Sequence, residues 1–269
     1  MTESAFIHRF EPARDAGSAP LLLLHGTGGD ENDLLGLGKM ISPGAALLSP
    51  RGRVLEHGMP RFFRRLAEGV FDEDDVRRRA RELGDFVGEA RQRYGIAAPV
   101  AVGFSNGANI AAALLLLQPG VLAGAILLRA MVPLSDPPKA ELGGKPVLLL
   151  SGQADPIVPA SNSARLATLL SEAGARVDHR VLPAGHQLSQ ADVTLARDWI
   201  GKVDAKQQGD FGLKDKSEVW TIKGEDGKTW TLYLGKRSYG SRNRFAMETD
   251  GRVILVDDTG FENLERAPL

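Results

Sequence analysis

No stretch constrains the fold of this chain more than Val100 to Asn109. A short apolar run of strand type stops at Gly103, Ser105 follows two residues later, and then come Gly107 and the small residues Ala108, Ala111, Ala112 and Ala113. This is a Gly-x-Ser-x-Gly elbow with a strand before it and a helix after it. A serine on so sharp a turn has a strained backbone and an exposed hydroxyl. Glycines two residues to either side leave room where a side chain would clash. The following helix points backbone N–H groups and the positive end of its dipole at the serine. A turn that merely joins strand to helix would carry the same glycines, so the reading depends on partners elsewhere in the chain.

Strand and helix patterns alternate on both sides of the elbow. Phe6 to Phe10 reads as an edge strand and Leu21 to Leu24 as a strand buried on both faces. The latter runs into His25-Gly26-Thr27-Gly28-Gly29-Asp30, which lacks the Lys-Ser/Thr of a phosphate loop and the dinucleotide spacing. A loop lending a backbone N–H to an oxyanion fits better. Glu31 to Ile41 reads as a helix with Asp30 as its N-cap, and Ala45 to Leu48 as a strand. Ser49 to Phe71 has no clean periodicity; Met59, Phe62, Phe63, Leu66, Val70 and Phe71 either line a substrate pocket or form a small core under a long loop. In Asp72 to Tyr94 the residues Val76, Ala80, Leu83, Val87, Ala90 and Tyr94 make one apolar helical stripe, with Asp72 to Asp75 favouring its N-terminal end. Strands follow at Ala123 to Leu128, Pro146 to Ser151 and Val177 to Leu182, and helices at Asn162 to Ala173 and from Ser189 to Ile200, where Ser189 and Asp192 match a capping box. The alternation across 21–200 predicts an α/β fold, a doubly wound, mainly parallel sheet.

Composition narrows the function classes. A formal net charge of −1 lacks the basic excess that a nucleic-acid or anionic-membrane partner needs. With no cysteine, thiolate zinc sites, disulfides and cysteine nucleophiles are excluded, and no His/Asp/Glu set has metal-ligand spacing, so no metal site is expected. Neither a signal-peptide pattern nor a run of roughly 18–20 apolar residues occurs, which points to a cytoplasmic protein without a membrane span. A homodimer stays open.

A serine nucleophile needs a base, and the base needs an orienting acid. After Ser105 only His179 and His186 occur. His179 lies within a strand, where alternation turns it to solvent, whereas His186 sits in the glycine-containing loop Leu182-Pro183-Ala184-Gly185-His186-Gln187. Asp155, in a loop closing the Pro146–Ser151 strand, is the best acid; Asp136 lies in a Pro-rich connection and Asp178 within a strand. His25 would anchor its glycine loop, and His8 and His57 would lie at the surface. Arg129, just past a central strand, either meets an anionic substrate group or is an ordinary surface arginine, and Met131 beside it is a candidate pocket residue.

The loop at His25–Asp30, the segment Met59-Pro60-Arg61-Phe62-Phe63-Arg64-Arg65, the elbow and Pro183–Gln187 together resemble the bacterial carboxylesterases related to phospholipase/carboxylesterase and acyl-protein thioesterase enzymes, most of all their hydroquinone-inducible branch. The resemblance covers about residues 5–202. It implies an α/β-hydrolase fold, Ser105 as nucleophile, Asp155 and His186 as its partners, and the N–H groups of Thr27 and Asn106 as the oxyanion hole. It further implies a small-molecule ester substrate and no cofactor. The rivals are a thioesterase or lysophospholipase acting on long acyl chains, and an inert hydrolase fold used as a scaffold.

Beyond Lys202 the pattern changes. A polar linker, 204–217, leads from a hydrolase domain at 1–203 into a module at 218–269 that carries Trp220, Trp230, Tyr233 and Tyr239. Gly224 to Gly227 and Asp250-Gly251 are hairpin signals between strand-like runs, so a small antiparallel β module is expected. It faintly resembles a repeated β-rich domain of unknown function.

Overall fold

The computed structural model describes residues 6–15, 17–210, 218–223, 229–237, 243–248 and 253–257. In chain order come strands β1 (His8–Glu11) and β2 (Leu21–Leu24), helix α1 (Leu35–Ile41) and strand β3 (Leu47–Pro50). Two small hairpins follow, β4 (Val54–Glu56) with β5 (Met59–Arg61), and β6 (Arg65–Ala67) with β7 (Val70–Phe71). Then come α2 (Glu73–Tyr94), β8 (Val100–Phe104), α3 (Asn106–Leu117), β9 (Gly124–Leu128), β10 (Pro146–Gly152), α4 (Ala160–Glu172), β11 (Arg176–Leu182) and α5 (Gln190–Asp210).

Seven of these strands form one sheet in the order β1-β3-β2-β8-β9-β10-β11, parallel throughout except for β1 against β3. This is the doubly wound α/β arrangement that the alternating pattern predicts. Strand order reverses at β2, which pairs with β3 on one side and β8 on the other. In open α/β sheets ligands bind beyond the carboxyl ends of the strands at such a reversal. Leu21 to Leu24 are completely buried, each contributing roughly 1.5–3 kcal/mol of transfer free energy. Helix α3 is buried from Asn106 to Leu116, as its nearly unbroken apolar sequence predicts.

Local departures have local causes. Helix α1 begins at Leu35 rather than Glu31, and Leu34 stands at its N-cap without a side-chain bond. Asp30 instead accepts the Asn32 N–H at 2.8 Å, a tight Asx turn that competes with helix at 31–34. The segment expected to be loop folds into the two hairpins. The first turns at His57-Gly58, both with positive φ (51° and 81°), the geometry of a two-residue hairpin turn. Helix α2 is capped by Asp72, whose carboxylate accepts the Asp75 N–H at 3.1 Å, and it stops at left-handed Gly95. His57 is exposed, but His8 is half-buried and bonded to the Tyr94 hydroxyl at 2.8 Å.

The chain divides into two compact units, residues 1–13 with 19–199, and 14–18 with 200–269. In the second, β12 (Glu218–Lys223), β13 (Thr229–Arg237), β14 (Asn243–Glu248) and β15 (Val253–Asp257) form an antiparallel four-stranded sheet in chain order. The proposed turns at 224–227 and 250–251 lie outside the described residues. Helix α5 runs on to Asp210, so the first half of the expected linker is helical. Among the described residues no helix is long and apolar enough to cross a membrane.

Candidate active site

Four loops meet at the carboxyl edge of the sheet, after β2, β8, β10 and β11. Ser105 occupies the sharp turn from β8 to α3 with φ 51° and ψ −114°, a costly backbone for a residue with a side chain. The turn is fixed by the Ser105 N–H to the Leu128 carbonyl, 2.8 Å. Both flanking glycines are required by crowding. A Cβ on Gly103 would lie 2.5 Å from the Gly107 carbonyl oxygen, and one on Gly107 only 1.9 Å from that of Leu24.

The other two loops come to the serine already joined. The Ala154 N–H donates to the Ala184 carbonyl at 3.0 Å, and the Gln153 N–H to that of Leu182 at 2.8 Å. A Cβ on Gly152 would sit 2.4 Å from the Gly185 carbonyl oxygen, so the loops touch through backbone. Asp155 Oδ1 accepts the N–H groups of Ile157 and Val158 at 2.8 and 3.0 Å. Its Oδ2 stands 2.9 Å from His186 Nδ1, and His186 Nε2 stands 3.0 Å from Ser105 Oγ. With Nδ1 protonated toward the carboxylate, Nε2 is free to accept the serine proton. The Asp155 side chain is fully buried, whereas that of His186 is 14% exposed.

Neither rival acid competes: Asp178 pairs with Arg180 at the surface, and Asp136 meets Arg77 only through its carbonyl. His179 departs from its expected solvent-facing place. It is half-buried, its Nε2 lies 3.0 Å from the Ser151 hydroxyl, and burial lowers its pKa below the usual 6.5. β11 is the last strand of the sheet, where alternation weakens: Val181 is 53% exposed.

A small cleft opens at Ser105, and Thr27 and Asn106 both line it. The Thr27 loop is held by His25, whose Nδ1 is 2.6 Å from the Gly26 carbonyl oxygen and whose Nε2 accepts the Gly52 N–H at 2.9 Å. His25 is buried, and that burial lowers its pKa. Asn106 ties the serine turn to the neighbouring segment by accepting the Phe62 N–H at 2.7 Å.

The expected pocket residues divide. Met131 lines the cleft, with Phe71 from β7. Phe62 and Phe63 are core instead, 3% and 0% exposed, Phe63 packing edge-on against Phe71 at 5.1 Å. Met59 is 42% exposed, with its sulfur close to Gly28. Sequence reasoning missed Asn109, Arg61, Arg65, Glu68, Ile157 and Val158 in the cleft wall. Arg61 and Arg65 share Glu56 at 2.6 and 2.8 Å. Burial alone would raise the Glu56 pKa, but the two arginines outweigh it and hold the carboxyl below its usual range.

Arg129 lines the cleft, as expected of a pocket residue, but it is not an ordinary surface arginine. It is completely buried, with φ 58°, and its guanidinium grips Asp192 through two bonds of 2.7 and 2.9 Å. It also donates to the carbonyls of Gly185 (2.8 Å), Gln187 (3.2 Å) and Leu150 (3.3 Å). Asp192 additionally accepts the Ser189 N–H and hydroxyl, both at 2.8 Å, and the first of these is one of the two bonds of the expected capping box. Burial pushes the Asp192 pKa up, while Arg129 and Ser189 together bring it below the usual value. A charge at the end of an apolar strand was a signal that such a partner exists; its identity was not legible.

The family model described as Phospholipase/Carboxylesterase matches residues 7–204. MhqD of Bacillus subtilis, named as a hydrolase, is 49% identical over 181 residues, 66% of this chain and 90% of its own length. The Bacillus cereus carboxylesterase structure superposes with a TM-score of 0.72 at 45% identity, over 75% of this chain and 96% of that one. A carboxylesterase from Mesorhizobium loti gives 0.71 at 35% identity, over 75% and 97%. Seven parallel-dominated strands, an elbow serine at their carboxyl edge and these likenesses agree: the chain belongs to the phospholipase/carboxylesterase family of α/β hydrolases.

Proposed function

We propose that the protein is a serine carboxylesterase that hydrolyses small carboxylic esters through an acyl-enzyme. The reading rests above all on the relay from Ser105 Oγ to His186 Nε2 and from His186 Nδ1 to Asp155, at 3.0 and 2.9 Å. Ser105 attacks the ester carbonyl as His186 takes its proton. The oxyanion is stabilised by the N–H groups of Thr27 and Asn106. Collapse expels the alcohol, which receives the proton from His186, and water then repeats the cycle on the acyl-serine. Asp155 stays ionised, holds the imidazole in its tautomer and stabilises the transient imidazolium.

The mixed lining of the cleft, with Arg61, Arg65 and Glu68 beside Met131, Phe71, Ile157 and Val158, favours a compact ester over a long acyl chain. Each additional methylene gains about 0.8 kcal/mol only where apolar wall meets it. The experiment is hydrolysis of nitrophenyl esters of increasing acyl length by the parent and by Ser105→Ala. The variant is expected to lose on the order of 10⁴-fold or more in kcat with the fold intact. Parent-like turnover by Ser105→Ala would refute the nucleophile. A steady rise of kcat/KM beyond eight carbons would replace the small-ester reading with a long-chain one.

A further inference from the structure

Among the described residues Arg129 is the largest fully buried side chain, ahead of Phe63 and the core leucines. An arginine is almost never fully buried unless paired, and a buried ion pair adds little net stability over an apolar pair of the same volume. The partners of Arg129 give it another use. Its Nε donates to the carbonyl just before His186 and its Nη2 to the carbonyl just after, so one planar group brackets the histidine in sequence. The same group is fixed to β10 through Leu150 and to α5 through Asp192.

We propose that Arg129 is a positioning residue that sets the 185–187 loop so that the His186 imidazole stands between Asp155 and Ser105. The proposal rests on the role of His186 as the base. The loop has no ladder of its own, and no strand or helix includes residues 183–189. It is pressed from one side by Gly152, whose hydrogen faces the Gly185 carbonyl. That carbonyl also receives the Arg129 Nε at 2.8 Å, so Gly152 and Arg129 together leave it one position. The backbone at Arg129 is left-handed, φ 58°, a costly conformation for a residue with a side chain. The Arg129 N–H donates to the Leu150 carbonyl at 2.9 Å, and from this anchored turn the side chain reaches the loop after β11. Only a rigid fork of five donors can serve a carboxylate and three carbonyls at once.

Two variants test this. Arg129→Lys keeps a positive charge for Asp192 but as a single point donor cannot hold both loop carbonyls. Arg129→Met with Asp192→Asn removes both charges and strands no carboxylate. Rates are taken per folded molecule from the amplitude of the thermal melt, with a short-chain nitrophenyl ester as substrate. Both variants are expected to lose about 10²-fold in kcat, the effect of a displacement near 1 Å at a reacting group, with KM unchanged. The low-field proton of the His186–Asp155 hydrogen bond, assigned by its loss in His186→Gln, is expected to shift or broaden in both. A folded variant of either kind with the parent kcat and an unmoved low-field proton would overturn the proposal and leave Arg129 a structural ion pair. Turnover by Ser105→Ala would instead count against the esterase mechanism and not against the positioning of His186.

Discussion

Replacing one glycine by alanine should have opposite effects at two sites in the sheet-facing unit. At Gly107 the added Cβ would fall 1.9 Å from the Leu24 carbonyl oxygen, 2.4 Å from its carbon and 2.6 Å from the His25 carbonyl oxygen, all backbone. A Cβ contact below about 3 Å does not persist, so α3 and the end of β2 must separate by roughly 1 Å. Overpacking of this kind costs about 1–3 kcal/mol, or roughly 2–12 °C in melting temperature for a unit of this size. The displacement falls between Ser105 and Thr27, so kcat should drop further than stability suggests, by about 10²-fold. At Gly88, inside α2, nothing lies within 4 Å of the added Cβ. Gly88→Ala should therefore stabilise by about 0.5–1 kcal/mol through helix propensity and chain entropy, with turnover unchanged. Thermal melts and ester hydrolysis on both variants decide the matter. A Gly107→Ala enzyme with parent melting temperature and kcat would refute the packing argument for the elbow.

Two further predictions concern pH and the tail. Burial holds His25 and His179 below the usual 6.5, so between their folded values and 6.5 the unfolded chain binds more protons. Their stabilising contribution is complete above about 6.5 and is lost as pH falls, so melting temperature should fall on acidification from neutral pH and His179→Gln should flatten the slope. A flat or rising parent curve would contradict it. A chain ended after Asp210 should remain soluble and hydrolyse esters at the parent rate, since every residue assigned to the site lies between Thr27 and Asp192. The isolated 211–269 piece should be marginal, because a unit of about 60 residues buries only about 60% of its unfolded surface. Loss of soluble, active protein on truncation would make the tail integral to the hydrolase fold.

What was legible in the sequence was what depends on local pattern. The unbroken Leu21–Leu24 run, the stripe of α2 from Val76 to Ala90 and the apolar α3 each carry their own local pattern, and each forms where that pattern predicts. The elbow was legible because its glycines answer to contacts within a few residues and with one neighbouring strand. Phe62 and Phe63 were ambiguous for the opposite reason. An apolar side chain in an irregular segment has the same sequence signature whether it faces a cleft or a core, and Phe63 lies in the stretch between the two hairpins, where no period marks its burial. Arg129 was unreadable as to role, since its partners come from residues 150, 185, 187 and 192, and no local spacing links them.

The topology explains why side chains so distant in sequence converge. Parallel strands present all their carboxyl ends at one edge, so the loops after β2, β8, β10 and β11 reach the same space however long the crossovers between them are. The elbow lies beside the loop after β2 because β2 and β8 are direct neighbours, Leu24 opposite Gly103. The loops that carry Asp155 and His186 lie together because β10 and β11 are neighbours, Gly152 opposite Leu182. Between these two pairs stands β9, and the residue just past its end is Arg129. Its backbone N–H meets β10, and its side chain reaches the loop after β11. The Ser105 N–H meets the carbonyl of Leu128, the residue before Arg129. One short turn after the middle strand thus supports the serine on one side and the histidine loop on the other. Loosening it at Arg129 should therefore disturb the alignment of Ser105 with His186 before it disturbs either loop's attachment to its own strand.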